Sequence, residues 1–183
     1  MSKLLIIVDM IKGFVNEGAM HDKGIANIIP ETINYIEKFI NEGNKVLFIK
    51  DAHDEDAVEF NDFPKHCLKG TSESELVDEL LKYENGQNSI EKNSTSAMFA
   101  EGFIDTIKEM ENLKEVIITG CCTDICVLNL ALPLNNYFNQ ENRNIDIIVP
   151  KNAVETFGSD SHARDEYNNI AYKLMMQAGI KVI

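Results

Sequence analysis

Val116-Ile117-Ile118-Thr119-Gly120-Cys121-Cys122-Thr123-Asp124-Ile125-Cys126-Val127 decides how the rest of this chain is read. A β-branched apolar run stops at a glycine, two cysteines and a Thr-Asp pair, and a Leu- and Ala-rich segment follows. That order predicts a buried strand, a tight turn and a helix start. Thr123 or Asp124 is placed to cap the helix, which puts Cys126 in or near its first turn. Backbone N–H groups there lack intrahelical partners and the dipole favours negative charge, so a thiol at that point tends towards thiolate. One reading is a nucleophilic cysteine at the carboxyl end of a central strand. The plainer one is that these cysteines are small core hydrophobes, the commoner role of the residue.

Outward from that stretch, strand and helix alternate. Leu4 to Val8 is a continuous apolar run, as in a parallel strand covered on both faces, and it ends at Asp9. Pro30 opens a helix with Ile33, Ile36, Phe39 and Ile40, and Gly43 closes it. Lys45 to Lys50 reads as a second strand ending at Asp51, and Ser89 to Lys92 as a short third. Between them, Ser72 and Glu75 resemble a capping box ahead of Leu76, Val77, Leu80 and Leu81. Phe103 to Met110 is helical, and a further helix runs past Cys126 to Phe138 with Pro133 inside it, where a kink is expected. Ile145 to Val149, a helix from Asp165 to Ala178, and Ile180 to Ile183 complete the pattern. The expectation is one α/β domain over residues 1–183, a parallel sheet with helices on both faces. Ligands of such sheets bind beyond the carboxyl ends of the strands, where Asp9, Asp51, Lys92 and the Cys126 turn all fall.

Composition narrows the function. A net charge of -13 argues against a nucleic-acid backbone as partner. There is neither a P-loop nor a G-x-G-x-x-G turn. The apolar run before Asp9 is too short for a signal-peptide core or a membrane span, so no membrane partner is expected. Four cysteines, three of them in one turn, make no disulfide framework, and a reducing cytoplasm is the expected location. The spacing of Cys121, Cys122 and Cys126 does not suit structural zinc. Nothing in the sequence decides between a monomer and a homo-oligomer.

Two constellations carry chemistry. Asp9, Lys92 and Cys126 follow three different strands. A carboxylate can relay a proton, an ammonium can hold a thiolate, and the thiol can attack an acyl carbon. Singly, each reads as well as a turn residue, a solvated charge or a core thiol. Asp51, His53, Glu59 and His66 form the second set, an Asp-x-His pair and two more ligand-type residues in one loop. Such a set can hold a divalent metal, although the loop is acidic throughout and Glu55 or Asp56 could replace Glu59. His21 and His162 show no partner pattern and read as surface or supporting residues.

Five segments together resemble the isochorismatase-like cysteine hydrolases and, among them, the nicotinamidases. They are Asp9-Met10 with Phe14, Lys50-Asp51-Ala52-His53, Phe63-Pro64-Lys65-His66-Cys67-Leu68-Lys69-Gly70-Thr71, Lys92 with Ser96-Ala97-Met98-Phe99, and Gly120 to Val127. The first and last mark the superfamily; the Asp-x-His and Pro-x-His-Cys-x-x-Gly-Thr pieces are the more specific. The resemblance implies a six-stranded parallel sheet flanked by helices. It makes Cys126 the nucleophile, Asp9 the proton carrier and Lys92 the third catalytic residue. It further implies a cis peptide between Cys121 and Cys122, with the N–H groups of Cys122 and Cys126 forming an oxyanion hole. Phe14 and Phe63 match positions that sandwich the substrate ring.

The implied reaction is hydrolysis of nicotinamide to nicotinate and ammonia through a thioester, in NAD salvage. The implied cofactor is one divalent metal on Asp51, His53, Glu59 and His66, zinc first and iron or manganese as alternatives. Two features depart from the common pattern. Glu59 stands where many relatives have a histidine, as in streptococcal-type members. Ile11-Lys12-Gly13 stands where Asn and Asp are usual. A related amidohydrolase of another small amide or carbamoyl compound is the alternative within the fold. A non-catalytic binding domain is the alternative outside it.

Overall fold

Leu4 to Val8 is fully buried at the centre of the sheet, as a run of large apolar side chains requires. The computed structural model describes residues 2–183. Strand β1 (Ser2–Val8) lies between β2 (Lys45–Asp51) and β4 (Leu113–Cys121), and β3 (Ser89–Lys92) flanks β2. Beyond β4 lie β5 (Asp146–Val149) and β7 (Lys181–Val182), and every pairing is parallel. The expected parallel sheet is present, with one addition. Val154–Glu155 (β6) pairs with the end of β4 beside Gly120 and Cys121. Two residues are too short to show a period, so sequence pattern carries no trace of it.

Helices cover both faces. On one, Leu4, Ile6, Val8, Val116 and Ile118 pack against α4 (Phe103–Glu109), α5 (Leu128–Gln140) and α6 (Arg164–Gln177). On the other, Leu5, Ile7, Phe48 and Ile117 pack against α2 (Ile29–Asn41) through Ile29, Ile36 and Phe39. Each such side chain contributes about 1.5–3 kcal/mol by leaving water, which is why both faces of these strands are apolar. Pro30 stands in the first turn of α2 and Gly43, at φ 71°, follows its end, as expected. Among the described residues, no helix is long and apolar enough to cross a membrane.

Two local expectations fail. Ser72 and Glu75 make no capping box: Ser72–Ser74 is a 3-10 turn, and the helix is only Asp78–Leu81 (α3). The Glu75 carbonyl instead accepts the Lys12 N–H at 2.9 Å, next to α1 (Lys12–Val15), and Leu76 pairs with Ile11 in an isolated bridge. The backbone here is bonded to another segment in place of a helical turn. Nor do Thr123 and Asp124 cap a helix. Thr123–Val127 forms a single π turn leading into α5, so Cys126 lies in that turn.

Candidate active site

Register alone brings the catalytic candidates together. Val8 pairs with Ile49 on one side and Gly120 on the other, and Asp51 pairs with Lys92. The next residues, Asp9 and Cys121, are therefore neighbours, and the Cys121 thiol donates to the Asp9 carbonyl at 3.1 Å. A side chain at Gly120 (φ 108°) would overlap the Val8 carbonyl, so only glycine lets β1 and β4 approach here. Asp9 itself has φ 51°, a left-handed turn that ends the strand. Cys121–Cys122 is a cis peptide, as the resemblance implied.

The Lys92 ammonium sits at the centre of the cluster. It lies 2.9 Å from Asp9 Oδ2, donates to Asp51 Oδ1, and is 3.8 Å from Cys126 Sγ. All four side chains are buried. Asp9 Oδ1 accepts the Asp51 N–H at 2.9 Å. Asp9 Oδ2 is held by the Lys92 ammonium as a buried ion pair. Carboxylate atoms of Asp9 and Asp51 and the Cys126 sulfur fall within 4.8 Å of one another.

Burial decides the electrostatics. It raises Asp9, with help from Asp51 and against Lys92, to a pKa of about 7. Burial also acts to lower Lys92, but Asp51 and then Asp9 outweigh it and the ammonium is held charged. The Cys126 thiol is pushed well above its usual range by burial, against the pull of Lys92. The expected drift towards thiolate is thus reversed in the resting site: a π turn inside a dry core supplies less stabilisation than the lost solvent did. The proton leaves Cys126 only if a base takes it, and Asp9 is within reach.

The second constellation forms the adjoining wall. Donor atoms of Asp51, His53 and His66 lie within 4.8 Å of one another. Glu59 Oε2 is 3.8 Å from His53 Nε2, and Asp51 Oδ2 is 3.6 Å from it. His53 Nε2 is fully buried without a hydrogen-bond partner. His66 turns its Nδ1 to the Pro64 carbonyl at 2.8 Å, which leaves its Nε2 for another role. Burial acts to lower His53, yet Asp51 and Glu59 outweigh it and raise its basicity. An orphaned imidazole nitrogen in a field of two carboxylates is what a divalent cation requires, so these residues fit one. Lys65 donates to Glu55 in the exposed part of the loop, whereas Glu59 faces the site, so Glu59 is the acid placed for that role.

A pocket of about 250 Å³ opens onto both groups, lined by Phe14, Phe63, Glu59, His66, Cys122 and Cys126, among others. Phe14 and Phe63 stand near the His66 ring, with centroids 5.7 and 6.4 Å away. Sequence reading missed the rest of its frame. His21, Asp22, Phe157 and Gly158 also line it. Asp22 ties these walls together: it accepts from the Gly158 N–H at 2.8 Å and from Arg164 at 2.6 Å. Asn93 and Thr95, one and three residues after Lys92, hold His53 and Glu59 respectively. Nearness in sequence to Lys92 was the only signal for that pair.

A buried Cys-Asp-Lys cluster at the strand ends of a parallel sheet, beside a metal-type donor set, defines a class of α/β hydrolase sites. The isochorismatase-domain family model matches residues 3–183. The chain belongs to the isochorismatase family. It is 33% identical over 174 residues to an uncharacterised isochorismatase family protein, PncA, of Bacillus subtilis, covering 89% of this chain and 91% of that one. The solved pyrazinamidase/nicotinamidase of Streptococcus mutans matches over the full length of both chains with a TM-score of 0.83 and 27% identity. The Bacillus subtilis nicotinamidase PncA structure matches 100% of this chain and 99% of its own with a TM-score of 0.80 and 29% identity.

Proposed function

We propose that this protein is a nicotinamidase, hydrolysing nicotinamide to nicotinate and ammonia. The observation that carries the reading is a pocket that Cys126 lines, with Lys92 and Asp9 buried beside that sulfur and a cation donor set in the pocket wall. Relatives of full-length similarity that are nicotinamidases support it. Residues 1–183 are read as one domain serving this one site.

Asp9 accepts the Cys126 proton as sulfur attacks the carboxamide carbon, forming a tetrahedral oxyanion. The N–H groups of Cys122 and Cys126 are the donors that the family resemblance assigns to that oxygen. Collapse breaks the C–N bond, Asp9 passes its proton to the leaving nitrogen, and ammonia departs from an acyl thioester. Asp9 then takes a proton from water, whose oxygen attacks the thioester, and nicotinate leaves as the thiol is restored. Lys92 holds the negative charge of Asp9 and sulfur throughout. Phe14 and Phe63 flank the ring. Asp51, His53, Glu59 and His66 would hold a divalent cation, which when bound supplies a Lewis acid for the ring nitrogen. Zinc, iron and manganese all suit two carboxylates and two imidazoles. Four free cysteines fit a reducing cytoplasm.

Ammonia release from nicotinamide, measured against benzamide and a panel of small amides and carbamoyl compounds, tests the reading. Nicotinamide is expected to be the best substrate by a wide margin. Turnover confined to a carbamoyl compound would replace the proposal with a related amidohydrolase, and no turnover at all would leave a binding domain.

A further inference from the structure

Pro133 has no N–H, so the carbonyl four residues earlier, on Asn129, has no donor within α5. That carbonyl is not left open. The Ser96 hydroxyl donates to it at 2.6 Å. Ser96 ends the short segment that begins directly after Lys92, and the two residues with side chains on the metal-type donors lie in the same segment. Thr95 donates to Glu59 Oε1 from its backbone N–H at 2.6 Å and from its hydroxyl at 2.8 Å. Glu59 Oε2 is left facing His53. Asn93 Oδ1 accepts the Asp54 N–H at 3.0 Å and lies 3.3 Å from His53 Nδ1. An amide oxygen can only accept, so His53 Nδ1 carries the proton there and its Nε2 lone pair points at the donor set.

We propose that Asn93–Ser96 is a positioning strap that presets Glu59 and His53 for a cation, fastened to α5 through the carbonyl that Pro133 sets free. In a helix interior each carbonyl is ordinarily engaged by the N–H four residues on, so one that lacks this donor is the more available acceptor for a side chain. Proline at position 133 supplies one at the point where the strap passes. The helix so engaged is the continuation of the Cys126 turn, so cation wall and nucleophile share one anchor. Partners of this kind fix ligand orientation, and their loss typically weakens metal binding roughly 10–100-fold. The inference rests on the cation site of the preceding section.

The test uses the full chain, stripped of metal by chelation and titrated with Mn²⁺, with free Mn²⁺ read by electron paramagnetic resonance. Mn²⁺ is chosen because it prefers carboxylate and imidazole donors to thiols. Wild type is expected to bind one ion. Ser96→Ala and Thr95→Val are each expected to weaken it roughly 10-fold or more, and Ser96→Thr, which keeps the hydroxyl, to restore it. Thr95→Val removes the hydroxyl bond to Glu59 and leaves the Ser96 hydroxyl for the Asn129 carbonyl, so it stands even if Ser96→Ala folds poorly. Wild-type affinity in Ser96→Ala or in Thr95→Val overturns the strap while leaving the cation site intact. Equal loss in Ser96→Ala and Ser96→Thr also overturns it. A wild type that binds no Mn²⁺ overturns the cation site and the strap together.

Discussion

His162 Nε2 lies 2.8 Å from Asp124 Oδ2, and this pair fixes the outer edge of the turn that carries Cys126. The other Asp124 oxygen accepts the Thr156 hydroxyl at 2.5 Å, just past β6. His162 is stacked on Phe157 at 3.9 Å and on Tyr167 at 3.6 Å, so the imidazole cannot swing away. Phe157 is itself a wall of the pocket. One histidine therefore joins the nucleophile turn to the pocket lining.

Loss of that ring is expected to be felt in both stability and turnover. A hydrogen bond to a charged group contributes about 1.5–3 kcal/mol, so His162→Ala should lower the unfolding free energy by that order. Urea denaturation measures it, with kcat on the same preparation. An unchanged midpoint would remove the pair from the list of elements holding the turn.

Cys126→Ala is expected to abolish nicotinamide turnover and keep the fold, because alanine fills most of a site that is only 6% exposed. Mass spectrometry of acid-quenched wild type should show an acyl adduct on Cys126. If Cys126→Ala stays active while Cys122→Ala does not, the nucleophile is the other sulfur.

Asp9 gives two pH effects of opposite kinds. As the base it must be ionised, so kcat/KM should rise through a midpoint near its pKa of about 7 and then level off. Asp9→Asn should remove activity across the range. For stability, the folded pKa lies above the ordinary 3.8, so Asp9 stabilises the fold below about pH 4 and that contribution is lost as pH rises through about 7. Wild type should therefore lose stability relative to Asp9→Asn between those limits. Parallel curves for the two proteins would show that Asp9 is not held neutral by its surroundings.

Lys92→Met keeps length and removes charge. Asp9 and Asp51 would then share a dry site without a cation, and breaking a buried pair this way costs about 3–5 kcal/mol. Equilibrium denaturation should show that loss, and the acid limb of kcat/KM should move to higher pH as Asp9 loses the ammonium that favours its ionised form. Stability equal to wild type would mean that the ion pair contributes no net stabilisation.

Most of the fold was legible because it is written in long apolar runs. β1, β2 and β4 are buried on both faces, and Pro30 and Gly43 bracket α2 as punctuation. Asp9, Asp51 and Cys126 were findable for the same reason, since each stands at or just beyond the end of a strongly apolar strand, whereas Lys92 ends a short strand, Ser89–Lys92, that carries only a weak pattern. What stayed hidden depends on pairs distant in sequence. Asp124 and His162 are 38 residues apart, and no local pattern connects them. Ser72 and Glu75 matched a capping box, yet the backbone there is bonded to the first loop. The charge state of Cys126 was misjudged because a motif shows the helix field and hides the desolvation that opposes it. Pro133 looked like an unexplained breaker until Ser96 was seen to use the carbonyl it vacates.

The Asp22–Arg164 tie has a consequence for how the protein is made. Asp22 leaves the ribosome 142 residues before the arginine it needs. At ordinary translation rates that interval is on the order of ten seconds. Throughout it, the first loop has no opposite bank, whatever the early strands have already done. Affinity for a small ring should therefore arrive late, because a nascent chain that stops short of Arg164 lacks both this tie and the α6 side chains Ala171, Tyr172 and Met175 that share a core with Cys126.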